Sequence, residues 1–390
     1  MRDADSPYVA KVNVARHRVF QKRTPVLGSL DLELTERCNN NCIHCFINLL
    51  EDDAARQREL VTTDTQRILE EAAALGALTV RFTGGEPLLR ENFIELYLFA
   101  RRLGLKVLLF TNARLITPEL ADLFARIPPL EKIEVTVYGM KPQSYEAVSR
   151  VPGSYEEFRR GVGLLLERKI PFVVKGALLP PNSEEIDSFE IWAATLPAME
   201  SPPAFSMFFD LRGRRDSASK NRLIESVRMT PDEGVAILRR HGHSYLKETR
   251  EFCRKFTGPP GDQLFFCGAG HNACVDAYGM LQPCLLMRHP DMVYDLTRGS
   301  LKIALTSFFP RLREEVRATN SDYLARCALC FLAGLCEQCP AKSWAEHGTL
   351  DTPVEYLCRV AHAQARDLGL LREGELSWEI TDWKERIKQI

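Results

Sequence analysis

An alternation of strand and helix patterns runs from Ser29 to Phe209 and limits the possible folds more than any other feature of the chain. Apolar runs typical of strands cover residues 30–34, 78–83, 106–110, 133–137, 171–178 and 204–209. Helical patterns over residues 63–75, 91–102, 118–126, 154–168 and 184–196 separate them. Strands joined by helical crossovers form parallel sheets with right-handed connections. Six such units predict an α/β fold, an open partial (β/α)6 barrel of the TIM-like kind.

Three cysteines, Cys38, Cys42 and Cys45, follow the first predicted strand within eight residues. In parallel α/β folds, ligands bind beyond the carboxyl ends of the strands, so the triplet lies where a site is expected. Thiolates are soft ligands that favour iron–sulfur clusters, zinc or copper(I). A closed structural site takes four protein ligands, so three cysteines leave one metal position open. A zinc site that borrows a distant fourth cysteine is the alternative.

A second motif comes directly after the second predicted strand, where Gly84 and Gly85 precede Glu86 and Pro87. Two adjacent glycines let the backbone approach a ligand closely. A glutamate at this place can accept a hydrogen bond from an ammonium group. A simple Gly-Gly turn would explain the pair equally well when it is considered alone.

The C-x3-C-x2-C triplet and the G-G-E-P turn, on successive strands of one scaffold, resemble the radical S-adenosylmethionine (SAM) superfamily. The resemblance implies that the three cysteines bind a 4Fe–4S cluster whose open iron chelates SAM. It also implies that Gly84, Gly85 and Glu86 hold the methionine amino end of SAM. Further SAM contacts, each as readily explained as structural, are predicted at Asn112, Thr136, Arg150 and, as a spacer over the adenine, His44.

Nine more cysteines stand in the last third of the chain, at positions 253, 267, 274, 284, 327, 330, 336, 339 and 358. Their spacing resembles the SPASM domain of radical SAM enzymes that mature peptides and proteins. The last two cysteines of the central block, Cys336 and Cys339, have two residues between them where that family usually has three. A pair of zinc sites is the alternative.

The resemblance to SPASM domains implies two auxiliary 4Fe–4S clusters, three clusters in all. The first would be bound by Cys267, Cys284 and Cys339, with Cys274 as the natural fourth ligand and Cys253 as its possible replacement. The ligands of the second would be Cys327, Cys330, Cys336 and Cys358. A fully ligated cluster has no open iron, so it fits electron transfer better than substrate chelation.

The domain pattern then reads as an N-terminal extension (1–28), a barrel (29–209), a bridge (210–250), a SPASM domain (251–365) and a polar tail (366–390). The net charge of −1 gives no electrostatic argument for nucleic acid or an anionic membrane as a partner. No apolar run approaches the ~18 residues of a membrane span, and the charged start has no apolar signal core. We therefore expect a cytoplasmic protein with reduced cysteines.

The function implied is that of a radical SAM oxidoreductase. It would cleave SAM to a 5′-deoxyadenosyl radical and oxidatively modify a ribosomally made peptide, by a cross-link or related oxidation, with the auxiliary clusters taking the electron. Alternatives are an anaerobic sulfatase maturase forming formylglycine, a small-molecule radical dehydrogenase, and a non-catalytic zinc or iron–sulfur interaction protein. Expected partners are a peptide or protein substrate, an external reductant of the flavodoxin or ferredoxin type, and a separate peptide-recognition protein. The basic run 212–222 is interpreted either as a contact for an acidic leader or as a solvated linker.

Overall fold

The computed structural model describes residues 27–241, 246–247, 249, 251, 258–267, 270, 273–336 and 339–388. The predicted N-terminal extension lies outside these residues except for its last two, and Cys253 also lies outside them. Among the helices of the described chain, none is long and apolar enough to cross a membrane.

The strands follow the predicted alternation and continue beyond it. In chain order they are β1 (Ser29–Thr35), β2 (Arg37–Cys38), β3 (Leu49–Leu50), β4 (Thr79–Gly84), β5 (Lys106–Thr111), β6 (Leu130–Val137), β7 (Phe172–Ala177), β8 (Phe205–Ser206), β9 (Ala273–Val275), β10 (Met280–Gln282) and β11 (Tyr294–Asp295). The sixth predicted strand is shorter than expected, because only Phe205 and Ser206 pair with β7 before the chain leaves the sheet.

The helices cover the predicted segments and add several to them. In chain order they are α1 (Thr62–Ala74), α2 (Phe93–Arg102), α3 (Pro118–Arg126), α4 (Pro142–Ser149), α5 (Ser154–Glu167), α6 (Ile186–Ala193), α7 (Ala218–Ser226), α8 (Pro231–Leu238), α9 (Leu301–Ile303), α10 (Phe309–Glu315), α11 (Ser321–Ala325), α12 (Ala333–Cys336), α13 (Pro340–His347), α14 (Glu355–Asp367) and α15 (Trp383–Ile387). Single-turn 3-10 segments include Pro87–Leu89 and Cys327–Leu329. Helix α4, which begins with Pro142 at its first position, was not predicted.

One large sheet joins both halves of the described chain, in the order β11-β10-β9-β1-β4-β5-β6-β7-β8. Strands β1 and β4 to β8 pair in parallel, which confirms the predicted α/β fold with a parallel sheet. The C-terminal part contributes β9, which pairs in parallel with β1, and β10 and β11 continue the sheet as antiparallel strands. Residues 273–295 of the C-terminal part therefore share a sheet with the barrel.

The strands place apolar side chains toward the helices and polar ones toward the inside of the barrel. On β4, Val80 and Phe82 are fully buried against the helices, whereas Arg81 and Thr83 alternate with them on the inner face. Parallel strands covered on both sides usually read as continuous apolar runs. The polar inner face here indicates that the barrel encloses a cavity and not a packed core.

Candidate active site

A cavity of about 1070 Å³, counting space open to solvent, lies at the carboxyl ends of the parallel strands. The predicted site residues that line it are Cys38, His44, Cys45, Gly84, Gly85, Asn112 and Thr136. Cys42 is buried in the same loop. Neither Glu86 nor Arg150 lines the cavity wall. The structure thus brings most of the predicted SAM-site residues together around one space.

The cysteine loop, residues 38–45, is fixed by backbone hydrogen bonds to the end of α4. The amide of Asn41 donates to the Ser149 carbonyl at 2.9 Å, and that of Ile43 donates to the Val148 carbonyl at 3.1 Å. Helix α4 was missed by the sequence analysis, yet it is the element that holds this loop in place.

Arg114 also holds this loop in place, and the sequence analysis did not predict this role. Its buried guanidinium donates to the Asn39 carbonyl and, at 2.7 Å, to Asn40 Oδ1. It also forms an ion pair with Glu157 on α5 at 2.5 Å. Burial of a cation costs free energy unless the cation is paired and hydrogen-bonded, as Arg114 is here. The loop, α5 and the end of β5 therefore form one unit.

The chemistry of the cysteine loop fits a soft metal group. Burial raises the pKa of Cys38 well above its usual value and that of Cys42 to about 12, so both thiols are neutral until a metal displaces their protons. Three buried polar atoms of the loop have no partner among the described residues: Asn40 Nδ2, Asn41 Oδ1 and His44 Nδ1. Within the described chain, no three His, Cys, Asp or Glu side chains are already arranged around a single metal ion. The fit therefore rests on donor chemistry, burial and the unpartnered atoms.

The two glycines after β4 are required by the packing of the protein itself. A Cβ on Gly84 would lie 2.0 Å from the Thr35 carbonyl oxygen, and one on Gly85 would lie 2.2 Å from that of Arg37. Gly84 also has a positive φ of 124°. The turn can therefore cross the backbone of β1 and β2 only without side chains, and this brings it beside the cysteine loop.

Glu86 ties the turn to the end of β5. Its carboxylate accepts hydrogen bonds from Thr111 Oγ1 at 2.9 Å, from the Asn112 amide at 2.8 Å and from the Leu88 amide at 3.2 Å. The side chain is fully buried, and burial raises its pKa to about 7. A direct contact from this carboxylate to SAM stays a prediction, since the contacts that the structure shows are to the protein.

His44 lines the cavity beside two aromatic rings, and its role as a spacer over the adenine stays a prediction. Its ring lies 4.7 Å from that of Phe209 and 5.8 Å from that of Tyr138, measured between ring centroids. Burial lowers its pKa to about 4, so the imidazole is neutral. Its unpartnered Nδ1 offers one polar contact to a bound molecule.

Two of the other predicted SAM contacts, Asn112 and Arg150, lie in different places: the first lines the cavity and the second does not. Asn112 lines the cavity, and its Nδ2 donates to Asn39 Oδ1 at 2.8 Å and lies 3.9 Å from Cys38 Sγ. Arg150 is exposed at the end of α4 in a left-handed conformation with φ 58°, away from the cavity wall. A role of Arg150 in binding the SAM carboxylate is therefore not supported by its position and stays a prediction.

A cation at the floor of the cavity was missed as well. Lys175 on β7 forms an ion pair with Glu134 at 2.5 Å, and its ammonium lies 3.6 Å from the centre of the Phe110 ring. Burial lowers the pKa of Lys175. A lysine within the apolar run 171–178 was a signal for this group, because a buried charge requires partners or a function.

Residues 32–190 match the family model described as the radical SAM superfamily. These residues are therefore similar to a radical SAM domain. An AdoMet-dependent heme synthase of Methanosarcina barkeri is 30% identical over 190 residues, covering 48% of this chain and 52% of that protein. A PqqA peptide cyclase of Xanthomonas oryzae pv. oryzae is 30% identical over 158 residues, covering 40% of this chain and 42% of that protein. The chain thus spans about half of each of these relatives, and both relatives are named as enzymes.

Solved structures support the same fold over more of the chain. A structure described as native anSMEcpe with bound AdoMet has a TM-score of 0.59 at 13% identity, covering 87% of this chain and 96% of that one. A second, with bound AdoMet and Cp18Cys peptide, has a TM-score of 0.57 at 13% identity, covering 93% and 99%. At this identity the likeness shows the fold alone, and it extends beyond the radical SAM domain into the C-terminal part.

Outside residues 32–190, four cysteines line one cavity of about 490 Å³, counting space open to solvent: Cys327, Cys330, Cys336 and Cys358. They are the four residues predicted as ligands of the second auxiliary cluster. Burial raises the pKa of all four thiols, that of Cys327 to about 12. The 3-10 turn Cys327–Leu329, α12 and α14 bring them together from separate elements.

The predicted ligands of the first auxiliary cluster are only partly assembled. Cys284 and Cys339 pack against one apolar cluster, and Cys267 lies near enough to Cys284 to raise its pKa further after burial. Cys274 lies on β9 directly opposite Asp31 of β1, where Glu33 is the strongest charge acting on its buried thiol. The assignment of Cys274 as the fourth ligand stays a prediction.

The basic run 212–222 is neither a leader contact nor a solvated linker at its buried positions. Arg212 is 2% exposed, pairs with Asp216 at 2.5 Å and donates to the Asn48 carbonyl at 3.2 Å. Arg214 pairs with Glu36 and, at 2.9 Å, with Asp276. Arg212 thus holds its own segment against the residues after the cysteine loop, and Arg214 joins Glu36, which precedes that loop, to Asp276 of the C-terminal part.

Proposed function

We propose that this protein is a radical SAM oxidoreductase that oxidatively modifies a peptide, with two auxiliary 4Fe–4S clusters in a SPASM-type C-terminal module. The observation that carries the proposal is the convergence of Cys327, Cys330, Cys336 and Cys358 on one cavity beside a radical SAM domain. A ligand set of four thiolates with no open position suits electron transfer.

In the first cavity, Cys38, Cys42 and Cys45 would hold the cluster that binds SAM. SAM bound to a reduced cluster supplies a 5′-deoxyadenosyl radical, which takes a hydrogen atom from an unactivated carbon. The protein contributes binding and exclusion of water. Phe208 and Phe209 supply apolar surface beside the cysteine loop, where a radical must be kept from stray hydrogen donors.

Two adjoining cavities leave room for an extended substrate such as a peptide. A second cavity of about 1150 Å³, counting space open to solvent, adjoins the first, and Ser206 and Phe208 line both. The joined space would accept an extended segment that runs from Cys45 toward Cys336, which lines the second cavity.

A proton acceptor stands at the boundary between the two cavities. Oxidation of a carbon radical to a closed-shell product releases one electron and one proton. Asp210 lines the SAM cavity, and its Oδ1 lies 3.9 Å from Nζ of Lys342, which lines the second cavity. We assign Asp210 as the acceptor of the proton, while the electron would pass to the auxiliary clusters.

The relatives favour two substrate classes. The PqqA peptide cyclase and the anSMEcpe structure with a bound peptide are named for peptides, and these names support the first class. The AdoMet-dependent heme synthase supports a second candidate function, action on a haem-precursor porphyrin. Lys175, which pairs with Glu134 on the inner face of the barrel, lines the cavity and would offer its ammonium to a carboxylate of such a substrate.

Mass spectrometry separates these candidates. The anaerobically reconstituted protein is incubated with reductant, SAM and peptides encoded near its gene, and we expect a peptide to lose one hydrogen pair per modification. Cys42→Ala is the inactive control. Conversion of a porphyrin with no change in any peptide would contradict the proposal, and reaction of a short sulfatase-motif peptide would redirect it to sulfatase maturation. The external flavodoxin or ferredoxin and a peptide-recognition partner remain predictions.

A further inference from the structure

The C-terminal segment, residues 370–388, is part of the cysteine module. Leu370 and Phe331 belong to one buried apolar cluster. Trp383 stacks on the Phe331 ring with 6.5 Å between centroids. Since Phe331 directly follows Cys330, the segment predicted as a polar tail packs over one of the cysteine ligands.

This packing puts a hydroxyl group on a cysteine sulfur. Ser377 is fully buried, and its Oγ lies 2.9 Å from Cys330 Sγ. The Leu332 amide donates to the same sulfur at 3.4 Å. A metal-bound thiolate carries no proton, so in the loaded protein Ser377 is the donor and Cys330 the acceptor.

His362 orients Ser377 and reaches a second cysteine of the set. The Ser377 amide donates to His362 Nε2 at 3.4 Å, which puts the imidazole proton on Nδ1. That nitrogen lies 2.8 Å from the Cys358 carbonyl oxygen and 3.6 Å from Cys358 Sγ. His362 therefore holds the backbone of Ser377, and the hydroxyl of Ser377 lies against Cys330.

Hydrogen bonds to the sulfurs of an iron–sulfur cluster stabilise its more negative, reduced state and raise its reduction potential. The effect is larger where water is excluded, because the local dielectric constant is low. The cavity around Cys330 is lined mainly by apolar side chains, including Ala333 and Ala361. A single donor in such a place has a measurable effect on the potential.

We propose that Ser377 sets the reduction potential of the cluster bound by Cys327, Cys330, Cys336 and Cys358, and thereby helps it to accept the electron that leaves the substrate. The inference rests on the proposed auxiliary cluster. In the step concerned, the substrate radical loses one electron and one proton, and the cluster is reduced by one electron. Ser377 acts through Cys330 and touches neither substrate nor SAM, so it is a positioning residue.

The test is a redox titration followed by electron paramagnetic resonance on the full-length reconstituted protein. Cys38, Cys42 and Cys45 are replaced by alanine in every sample, so that only the auxiliary signals remain. Ser377→Ala and Ser377→Val should shift one midpoint to a more negative value, by about 59 mV for a tenfold change in a one-electron equilibrium. Ser377→Thr, which has the shape of valine and keeps the hydroxyl, should restore it.

Ser343→Ala is the matched control. Ser343 is a fully buried serine of the same module, but its hydroxyl donates to the Thr352 carbonyl and not to a sulfur, so its loss should leave this midpoint unchanged. Equal midpoints for Ser377→Thr and Ser377→Val, with intact signals, would overturn the inference alone. Absence of both auxiliary signals in protein with native Ser377 would contradict the proposed function as well.

Discussion

The two cysteine regions reach the same kind of chemistry by opposite routes. The first takes its three cysteines from one loop, residues 38–45, and holds them with buried polar contacts from Arg114. The second takes its four cysteines from three elements and holds them with an apolar cluster and the C-terminal segment. Ligands that come from one loop can be recognised by their spacing in the sequence. Ligands that come from several elements are brought together only by the fold.

The difference predicts different consequences of damage. In the loop, loss of a brace leaves buried carbonyl and amide oxygens without donors, which costs free energy and shifts the cysteines. In the C-terminal module, loss of one cysteine removes one of four ligands. Loss of a ligand there should therefore remove the whole cluster, whereas loss of a brace in the loop should lower the occupancy of its cluster only in part.

The largest effect is expected from Cys336→Ala, compared with Cys274→Ala. Cys274 is buried and Cys336 is half-buried, but only Cys336 of the two lines the cavity with the other three cysteines. The first variant should lose about four of about twelve irons and all modified product, while SAM is still consumed without product. Cys274→Ala should keep its iron, measured by iron and sulfide analysis. Equal iron loss in both variants would identify Cys274 as a cluster ligand.

The next effect is expected from Arg114→Leu. It leaves the Asn39 carbonyl and Asn40 Oδ1 without their donor, at a cost of about 1–3 kcal/mol for each buried acceptor. Urea denaturation measures the loss, and iron analysis should show lower occupancy of the loop cluster. Arg168→Leu is the control, since Arg168 pairs with the exposed Asp122 outside the barrel, and it should cost less than about 1 kcal/mol. Full iron occupancy in Arg114→Leu would contradict the claim that Arg114 holds the cysteine loop in place for its cluster.

A smaller, pH-dependent effect is expected from Glu86→Gln. Burial raises the pKa of Glu86 from 4.5 to about 7, so the folded state binds more protons than the unfolded state between these values. The free energy of unfolding should therefore fall as pH rises through this window, by at most about 3 kcal/mol. Glutamine cannot ionise, so denaturation of the variant at several pH values should show a flatter slope. An unchanged slope would contradict the burial of a titrating carboxyl.

The smallest effect is expected from His44→Leu. Loss of ring contacts worth about 0.5–1.5 kcal/mol should weaken SAM binding by up to about tenfold. His44→Phe keeps an aromatic ring beside Phe209 and should restore most of the affinity, measured by calorimetry. If phenylalanine weakened binding as much as leucine, the ring would not be the feature that matters.

The barrel and the cysteine loop could be predicted because their signals are local. Strand and helix periods fix the βα units, and the triplet spacing lies within eight residues. The sharing of the sheet by β9, the contact of Ser377 with Cys330 and the bracing by Arg114 join distant segments, and no spacing shows them. Cys274 shows the limit of such local signals. It is seven residues from Cys267 in sequence, and the spacing does not show that it lies on β9, opposite Asp31 of β1.

The central claim is that one cluster in the cysteine loop cleaves SAM and that separate clusters lie in the C-terminal module. The most direct test compares the iron content and 5′-deoxyadenosine yield of the native protein with those of the variant that has Cys38, Cys42 and Cys45 replaced by alanine. We predict about twelve irons and SAM cleavage for the native protein, and about eight irons without cleavage for the variant. Zinc in place of iron, or a variant that holds no iron, would contradict the account.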